Sequence, residues 1–310
     1  MRPRLPQHIQ RNGLQSWKLL HPEVEIILFG NDEGVAEICA ELGLRHVPNI
    51  TVNPSGTKRL DSIFGSAQQM APHELLCYFN CDIILTHDFL EALEQLRKWR
   101  SGFLMIGRRW DTDITGPVDF SRPAWDKELL ALAHSTGIQR GYHNIDYFLF
   151  PSGLYTEIPP LVIGRVGWDP WLVGKAHAIG VPAVDVSDRV CAVHQNHDYS
   201  YHPQGMTGIW QDQEARHNEE LDRGIRRMTI EDAPYRLTAK GLVKNRLFYW
   251  LAPAKRRWRD LGATVRGWWR TWLWHPLLNW TRPVRRALGL TQSVIPGALR
   301  SSKRRHPMDR

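Results

Sequence analysis

The chain has 310 residues, 42% of them hydrophobic and 23% charged, a globular composition that excludes a sequence too polar to bury a core. Its net charge of +8 is unevenly spread: 18 of the 40 Lys/Arg lie from Arg236 onward against only Asp260 and Asp309, leaving 22 basic and 30 acidic residues in 1–235. The basic character belongs to the C-terminal part, where half of the 14 Trp residues also fall, between Trp250 and Trp280. This shift sets an expected division into a domain over 1–230, a basic tail over 231–299 and a disordered basic end over 300–310. Met1 to Gly13 lacks the apolar core of a signal peptide, and no uncharged apolar run approaches the roughly 18–20 residues that span a bilayer. Cys39, Cys77, Cys81 and Cys191 have no C-x-x-C spacing and read as reduced, buried thiols, which suits a cytoplasmic protein.

In chain order, Val24 to Phe29 is a short apolar run closed by Gly30, a buried-strand pattern. Asn31 and Asp32 are placed to cap a helix carrying Val35, Ile38 and Leu42. A second helix is expected from near Thr57, with Leu60, Ile63, Phe64, Ala67 and Met70 on one face. Leu75 to Leu85 reads as a strand broken by Asn80 and Asp82, and a helix follows from His87 with Phe89, Leu93, Leu96 and Trp99 inward. Phe103 to Ile106, Tyr147 to Phe150, Val181 to Val186 and Val190 to Val193 read as later strands. Between them, Arg108 to Asn144 loses its periodicity and reads as a long irregular functional insert. Strands alternating with helices predict an α/β fold: a mainly parallel central sheet with helices on both faces. In such sheets ligands bind beyond the carboxyl ends of the strands.

Three segments hold residues fit for chemistry. Asn80-Cys81-Asp82 interrupts an apolar strand, and a carboxylate there is costly unless paired or metal-bound. It is either a turn-capping Asp or an oxygen ligand for Mg²⁺ or Mn²⁺. His194-Gln195-Asn196-His197 follows another strand; it is either a polar turn or the source of an imidazole for the same metal. In Gly164-Arg165-Val166-Gly167-Trp168-Asp169-Pro170-Trp171, Asp169 before Pro170 is a helix-start signal. The same Asp169 is a candidate general base, Trp168 and Trp171 are candidate flat surfaces for sugar rings, and Arg165 is a candidate phosphate ligand.

Taken together, Gln10-Arg11-Asn12, Ser16-Trp17, Glu25 to Gly30, Asn80 to Ile84, Gly107-Arg108-Arg109, Asp146-Tyr147-Phe148, Gly164 to Trp171 and His194 to Tyr199 resemble a bacterial family of glycosyltransferase-like proteins with the GT-A, nucleotide-diphospho-sugar transferase fold. The resemblance covers roughly residues 7–220. It implies that Asn80-Cys81-Asp82 stands at the D-x-D position with Asn in place of the first Asp. Asp82 then binds a Mn²⁺ or Mg²⁺ bridging the donor diphosphate, with Asn80 beside it and His194 or His197 as the late ligand. Asp169 becomes the base that activates the acceptor hydroxyl. Asp32, Thr57 and Arg165 line the nucleotide-sugar site, and Arg109, Asp111, Asp146, Trp168 and Trp171 the acceptor and sugar side. The family begins with an apolar strand that Met1 to Pro6 cannot form, so either the chain start lies elsewhere or the nucleotide site is incomplete. A catalytically degenerate scaffold is the alternative. A nucleotidyltransferase would need a Gly-rich basic loop after the first strand, which is absent.

In the tail, Trp258, Leu261, Val265, Trp268 and Trp272 recur at helical spacing with Arg259, Arg266 and Arg270 on the other side. Tyr235 to Leu251 is expected as a shorter companion helix. Such a face suits an anionic membrane surface, and the rival is a helical pair packed on the catalytic domain. The expectation is a peripheral protein on the inner face of the cell membrane with a lipid-linked or glycan acceptor. No recognised module supports nucleic-acid binding.

Overall fold

The structure is a computed structural model that describes residues 7–197, 209–221 and 224–245. These belong to a compact unit, Met1–Tyr249; a second unit, Trp250–Arg310, lies outside the described residues, and with it the predicted Trp258–Trp272 helix. The first described element is α1 (Gln7–Leu20), followed by β1 (Ile27–Phe29), α2 (Val35–Leu42), β2 (Arg45–Val47), α3 (Leu60–Met70), β3 (Leu75–Phe79), β4 (Ile83–Ile84) and α4 (Asp88–Trp99). Then come β5 (Leu104–Ile106), β6 (Arg109–Thr112), α5 (Trp125–Thr136), β7 (Ile138–Gln139), β8 (Tyr147–Pro151), α6 (Trp168–Ala178), β9 (Ala183–Asp185) and β10 (Ala192–Gln195). Helix α7 (Gln213–Glu220), a 3-10 turn (Ile230–Asp232), β11 (Tyr235–Thr238) and β12 (Gly241–Lys244) complete the described chain.

A six-stranded sheet in the order β12-β11-β9-β5-β8-β3 forms the centre. Its residues alternate between two cores, as the period-2 side-chain pattern of a strand requires. Leu104, Ile106, Phe148 and Phe150 face α3 and α6 through Leu60, Phe64, Trp168 and Trp171. Met105, Tyr147, Leu149 and Val184 face α1 and α4 through Leu14, Trp17, Phe89 and Leu96. The expected covering of both faces by helices is therefore present. The expected mainly parallel sheet is not. Only β5/β9 and β9/β11 are parallel, whereas β8 runs antiparallel to both β3 and β5, and β12 to β11. Buried apolar strands look alike in either direction because hydrophobicity records two-sided burial, and β8 is buried on both sides like a parallel strand.

Two further departures have local causes. The segment 108–144 is not irregular: it contains β6, α5 and β7, but the buried residues of β6 are the polar Arg109, Asp111 and Thr112, and α5 buries only Leu129 and Ala133, so no apolar period shows. Residues 235–244 form the β11/β12 hairpin rather than a helix, and β11 pairs with β9. The sheet thus continues past the compositional boundary at 230, which followed Arg and Trp content rather than sheet pairing. Gly241, at φ +94°, was the available signal for the turn between β11 and β12.

A four-stranded sheet, β4-β10-β6-β7, stands beside the first. Asn80-Cys81-Asp82 is the turn by which the chain leaves β3 in one sheet and enters β4 in the other. Helix α1 braces that turn. Trp17 donates its indole N–H to the Ile83 carbonyl at 2.9 Å, and the Leu85 N–H donates to Ser16 Oγ at 3.1 Å. A Cβ at Gly13 would stand 2.6 Å from the Cys81 carbonyl oxygen, so only glycine lets α1 approach so closely.

Candidate metal centre

Strand register assembles the site. In the parallel pair β6/β10, His194 lies opposite Asp111, and in the antiparallel pair β4/β10 it lies opposite Ile83, next to Asp82. Asp111 and His194 therefore share a face as a cross-strand pair, with Arg109 two residues before Asp111 on the same face. The opposite face of this sheet, with Trp110 and Val193, packs on α5.

Asp82, His194 and His197 each offer a ligand atom, and these atoms lie within 4.8 Å of one another. Asp82 Oδ2 is 3.4 Å from His194 Nε2 and 3.2 Å from His197 Nε2. The other oxygen, Asp82 Oδ1, is buried and has no hydrogen-bond partner among the described residues, a costly arrangement for a carboxylate unless a cation is there to meet it. Nδ1 of His194 lies 3.2 Å from Asp111 Oδ1, a charge contact without hydrogen-bond alignment, since Nδ1 is also buried with no hydrogen-bond partner among the described residues. Two imidazoles and one carboxylate, one imidazole backed by a second carboxylate, is a donor set suited to a divalent transition ion. The residues present fit a metal.

Next to the ligands runs a chain of charges, buried at Arg109, Asp111 and Asp146 and exposed at Arg140. Arg109 Nε donates to Asp111 Oδ1 at 2.8 Å and its Nη1 reaches both Asp146 oxygens at 3.1 Å. Arg140 Nε donates to Asp111 Oδ2 at 2.5 Å, and Asn80 Nδ2 to Asp146 Oδ1 at 2.6 Å. Burial opposes the charge of Asp82, but His194 and His197 outweigh it and hold its carboxyl below the ordinary range. Burial likewise opposes Asp111, yet His194 and Arg109 pull it below that range. For His194 burial favours the neutral ring, but Asp111 and Asp82 on either side push it up to about 9.

A neutral polar clamp holds the same turn. Gln195 Nε2 donates to the carbonyls of Ile9 at 2.7 Å and Asp82 at 3.2 Å, and its Oε1 accepts from Asn12 Nδ2 at 2.8 Å. Asn12 in turn binds the Gly116 carbonyl at 3.1 Å and the Val118 N–H at 2.9 Å. Gln195 and Asn12 were not singled out as site residues by their sequence, because nothing local marks a polar residue whose partners lie over 100 positions away; Arg140, whose partner Asp111 is 29 positions away, is equally unmarked.

Helix α6 starts one residue before Asp169, with Gly167 as its N-cap at φ +105°, so Asp169 sits inside the first turn rather than at the cap. Burial pushes its carboxyl up to about 7; N–H groups of Asp169 and Gly167 oppose that, and the charge of Asp146 adds to it. Burial raises the Tyr78 phenol, and the charges of Cys81, Asp82, Asp146 and Asp169 add to it; its hydroxyl donates to Asn80 Oδ1 at 3.2 Å.

No protein-family model matches this chain, and no curated protein matches it.

Other expected site residues have other positions. The Asn80 side chain is hydrogen-bonded to Asp146 and Tyr78. Trp168 and Trp171 present no open face to a sugar. They are buried in the α6 core, where Trp168 packs on Tyr78 and Phe148 with ring centroids 5.2 and 5.6 Å apart. Helix α6 is buried on most sides, so its tryptophans fill volume. Arg109, Asp111 and Asp146 are buried as the charge chain rather than displayed to an acceptor. Arg165 is held by Asp212 at 2.5 Å and Glu214 at 2.7 Å, two carboxylates at the start of α7. Asp32 is exposed and paired with Lys58, and Thr57 lies in a turn where its N–H meets Asn53 Oδ1 at 2.8 Å.

Proposed function

We propose that this protein is a metal-dependent glycosyltransferase of the GT-A type, moving a sugar from a nucleotide-diphosphate donor to an acceptor hydroxyl. The observation that carries the reading is the meeting of Asp82, His194 and His197 within 4.8 Å, joined by a separate carboxyl that burial pushes up to about 7 at Asp169. The order of motifs along the chain, similar to that of GT-A glycosyltransferase-like proteins, supports the choice of sugar transfer among metal-dependent reactions.

The two imidazoles favour Mn²⁺ over Mg²⁺, which prefers all-oxygen surroundings. Asp82, His194 and His197 would hold a divalent ion, which would supply positive charge toward a leaving diphosphate. Asp82 and the two histidines hold that charge in place, while the Arg109–Asp146 pair keeps Asp111 against His194. Asp169, poised near neutrality, takes the proton from the acceptor hydroxyl as its oxygen bonds to the anomeric carbon and the bond to the diphosphate breaks. The acceptor is a lipid-linked or surface-glycan precursor, and the basic Trp-rich tail holds the protein at an anionic membrane face. Among the described residues, no helix is long and apolar enough to cross a membrane.

A thermal-shift screen of UDP-, GDP- and dTDP-sugars tests the reading. One donor class should raise the melting temperature in Mn²⁺ and do so much less in Mg²⁺ or EDTA. Equal shifts in Mn²⁺ and EDTA, or none for any donor, would contradict it.

A further inference from the structure

We propose that Asp111 is a positioning residue for the metal centre, fixing His194 as a ligand through Nε2. The proposal rests on the metal reading of Asp82, His194 and His197. A neutral imidazole carries one proton on two nitrogens, and the nitrogen without the proton is the one that can bind a metal. His194 stands between two carboxylates, with Nδ1 3.2 Å from Asp111 Oδ1 and Nε2 3.4 Å from Asp82 Oδ2. Asp82 is one of the grouped ligand candidates and Asp111 is not. The carboxylate outside the group is the one placed to accept a hydrogen bond from Nδ1–H once the ring is oriented by the metal, leaving the Nε2 lone pair for the ion.

Asp111 is built to stay where it is. It sits on β6, directly opposite His194 on β10, so the contact is set by sheet register rather than by a loop. Its Oδ1 accepts from Arg109 Nε at 2.8 Å and its Oδ2 from Arg140 Nε at 2.5 Å. Arg109 is anchored in turn on Asp146 at 3.1 Å. A carboxylate held on both oxygens cannot turn away from the ring, and an oriented ring loses less entropy when it binds metal. The rival role for Asp111 is that of a counter-ion to Arg109 and Arg140 alone. That role predicts a change in stability with no change at the metal.

Two measurements on the full chain decide between them. In the unmutated protein loaded with Zn²⁺, ring ¹⁵N NMR should show His194 bound through Nε2 with a protonated Nδ1. Ligation through Nδ1 would overturn the proposal, and this measurement needs no variant to fold. Co²⁺ titration followed by its visible absorption should then give a 10–100-fold weaker affinity for Asp111→Asn, with an altered spectrum. Circular dichroism confirms that the variant is folded. If the wild type binds Co²⁺ and folded Asp111→Asn binds it equally with the same spectrum, the role of Asp111 falls and the metal centre stands. If the wild type binds neither ion, the metal centre itself falls and this proposal with it.

Discussion

The turn at Asp82 and the first turn of α6 at Asp169 each place an aspartate at the edge of the core, and their surroundings push it in opposite directions. Around Asp82, two imidazoles overcome burial and hold the carboxyl in its charged form. Around Asp169, burial wins, the nearby Asp146 adds to it, and the carboxyl rises to about 7. One environment suits a permanent anion that can hold a cation, and the other a group that can accept a proton near neutral pH. The contrast teaches that the two roles come from neighbours rather than from residue type, and it divides the experiments into those that should touch metal binding and those that should not.

The largest effect is expected at Asp169. Asp169→Asn should lower turnover by roughly 10²–10⁴-fold while leaving Mn²⁺ affinity within twofold of wild type, as measured by steady-state assay and Mn²⁺ titration. A fall in Mn²⁺ affinity alongside turnover would merge the two sites and break the comparison. Next in size is the packing beside Asp169. Trp171→Ala should destabilise the fold by about 3–5 kcal/mol, read by denaturant unfolding, because Trp171 is buried at the core of α6. A sugar platform would instead show unchanged stability and weakened substrate binding.

A smaller effect sharpens the contrast through pH. The folded state holds a proton on Asp169 up to about 7, whereas the unfolded chain releases it near the ordinary Asp value of about 3.9. Across that window the folded state binds more protons, so this residue's contribution to stability falls as pH rises from about 4 to 7. Asp169→Asn should remove that slope, so its stability relative to wild type should rise by roughly 4 kcal/mol at most between pH 4 and pH 8. A wild-type minus variant difference that is flat with pH would show that Asp169 is not held protonated. The smallest effect is expected at Arg165. Its guanidinium is already occupied by Asp212 and Glu214, so Arg165→Ala should change donor affinity by about twofold or less. A loss of tenfold or more, the size of a charge-assisted contact, would return Arg165 to the diphosphate.

Much of the layer structure was legible because strands such as Leu104–Ile106 and helices such as Asp88–Trp99 bury enough apolar side chains to show a period. The turn at Asp82 and the histidines were legible for a different reason: each is a polar interruption at the end of an apolar run, where burial needs a partner. What stayed hidden depends on contacts distant in sequence. The direction of β8 is fixed by its pairing with β3 and β5, which hydropathy does not encode. Arg109, Asp111 and Asp146 were expected on the acceptor and sugar side, but Arg109 and Asp111 pair with each other along one face of β6, and the Arg108–Ile145 bridge brings Asp146 to Arg109. Trp168 and Trp171 were misjudged because an aromatic beside a candidate base looks the same in sequence whether its face is open or packed.

The central claim is that Asp82, His194 and His197 hold one divalent cation, and EPR titration of Mn²⁺ into the full chain tests it most directly. The account predicts one tightly bound Mn²⁺ per chain, abolished in a folded Asp82→Ala variant and retained in Asp169→Asn. An absence of bound Mn²⁺ in the wild type, or binding that survives Asp82→Ala unchanged, would contradict it.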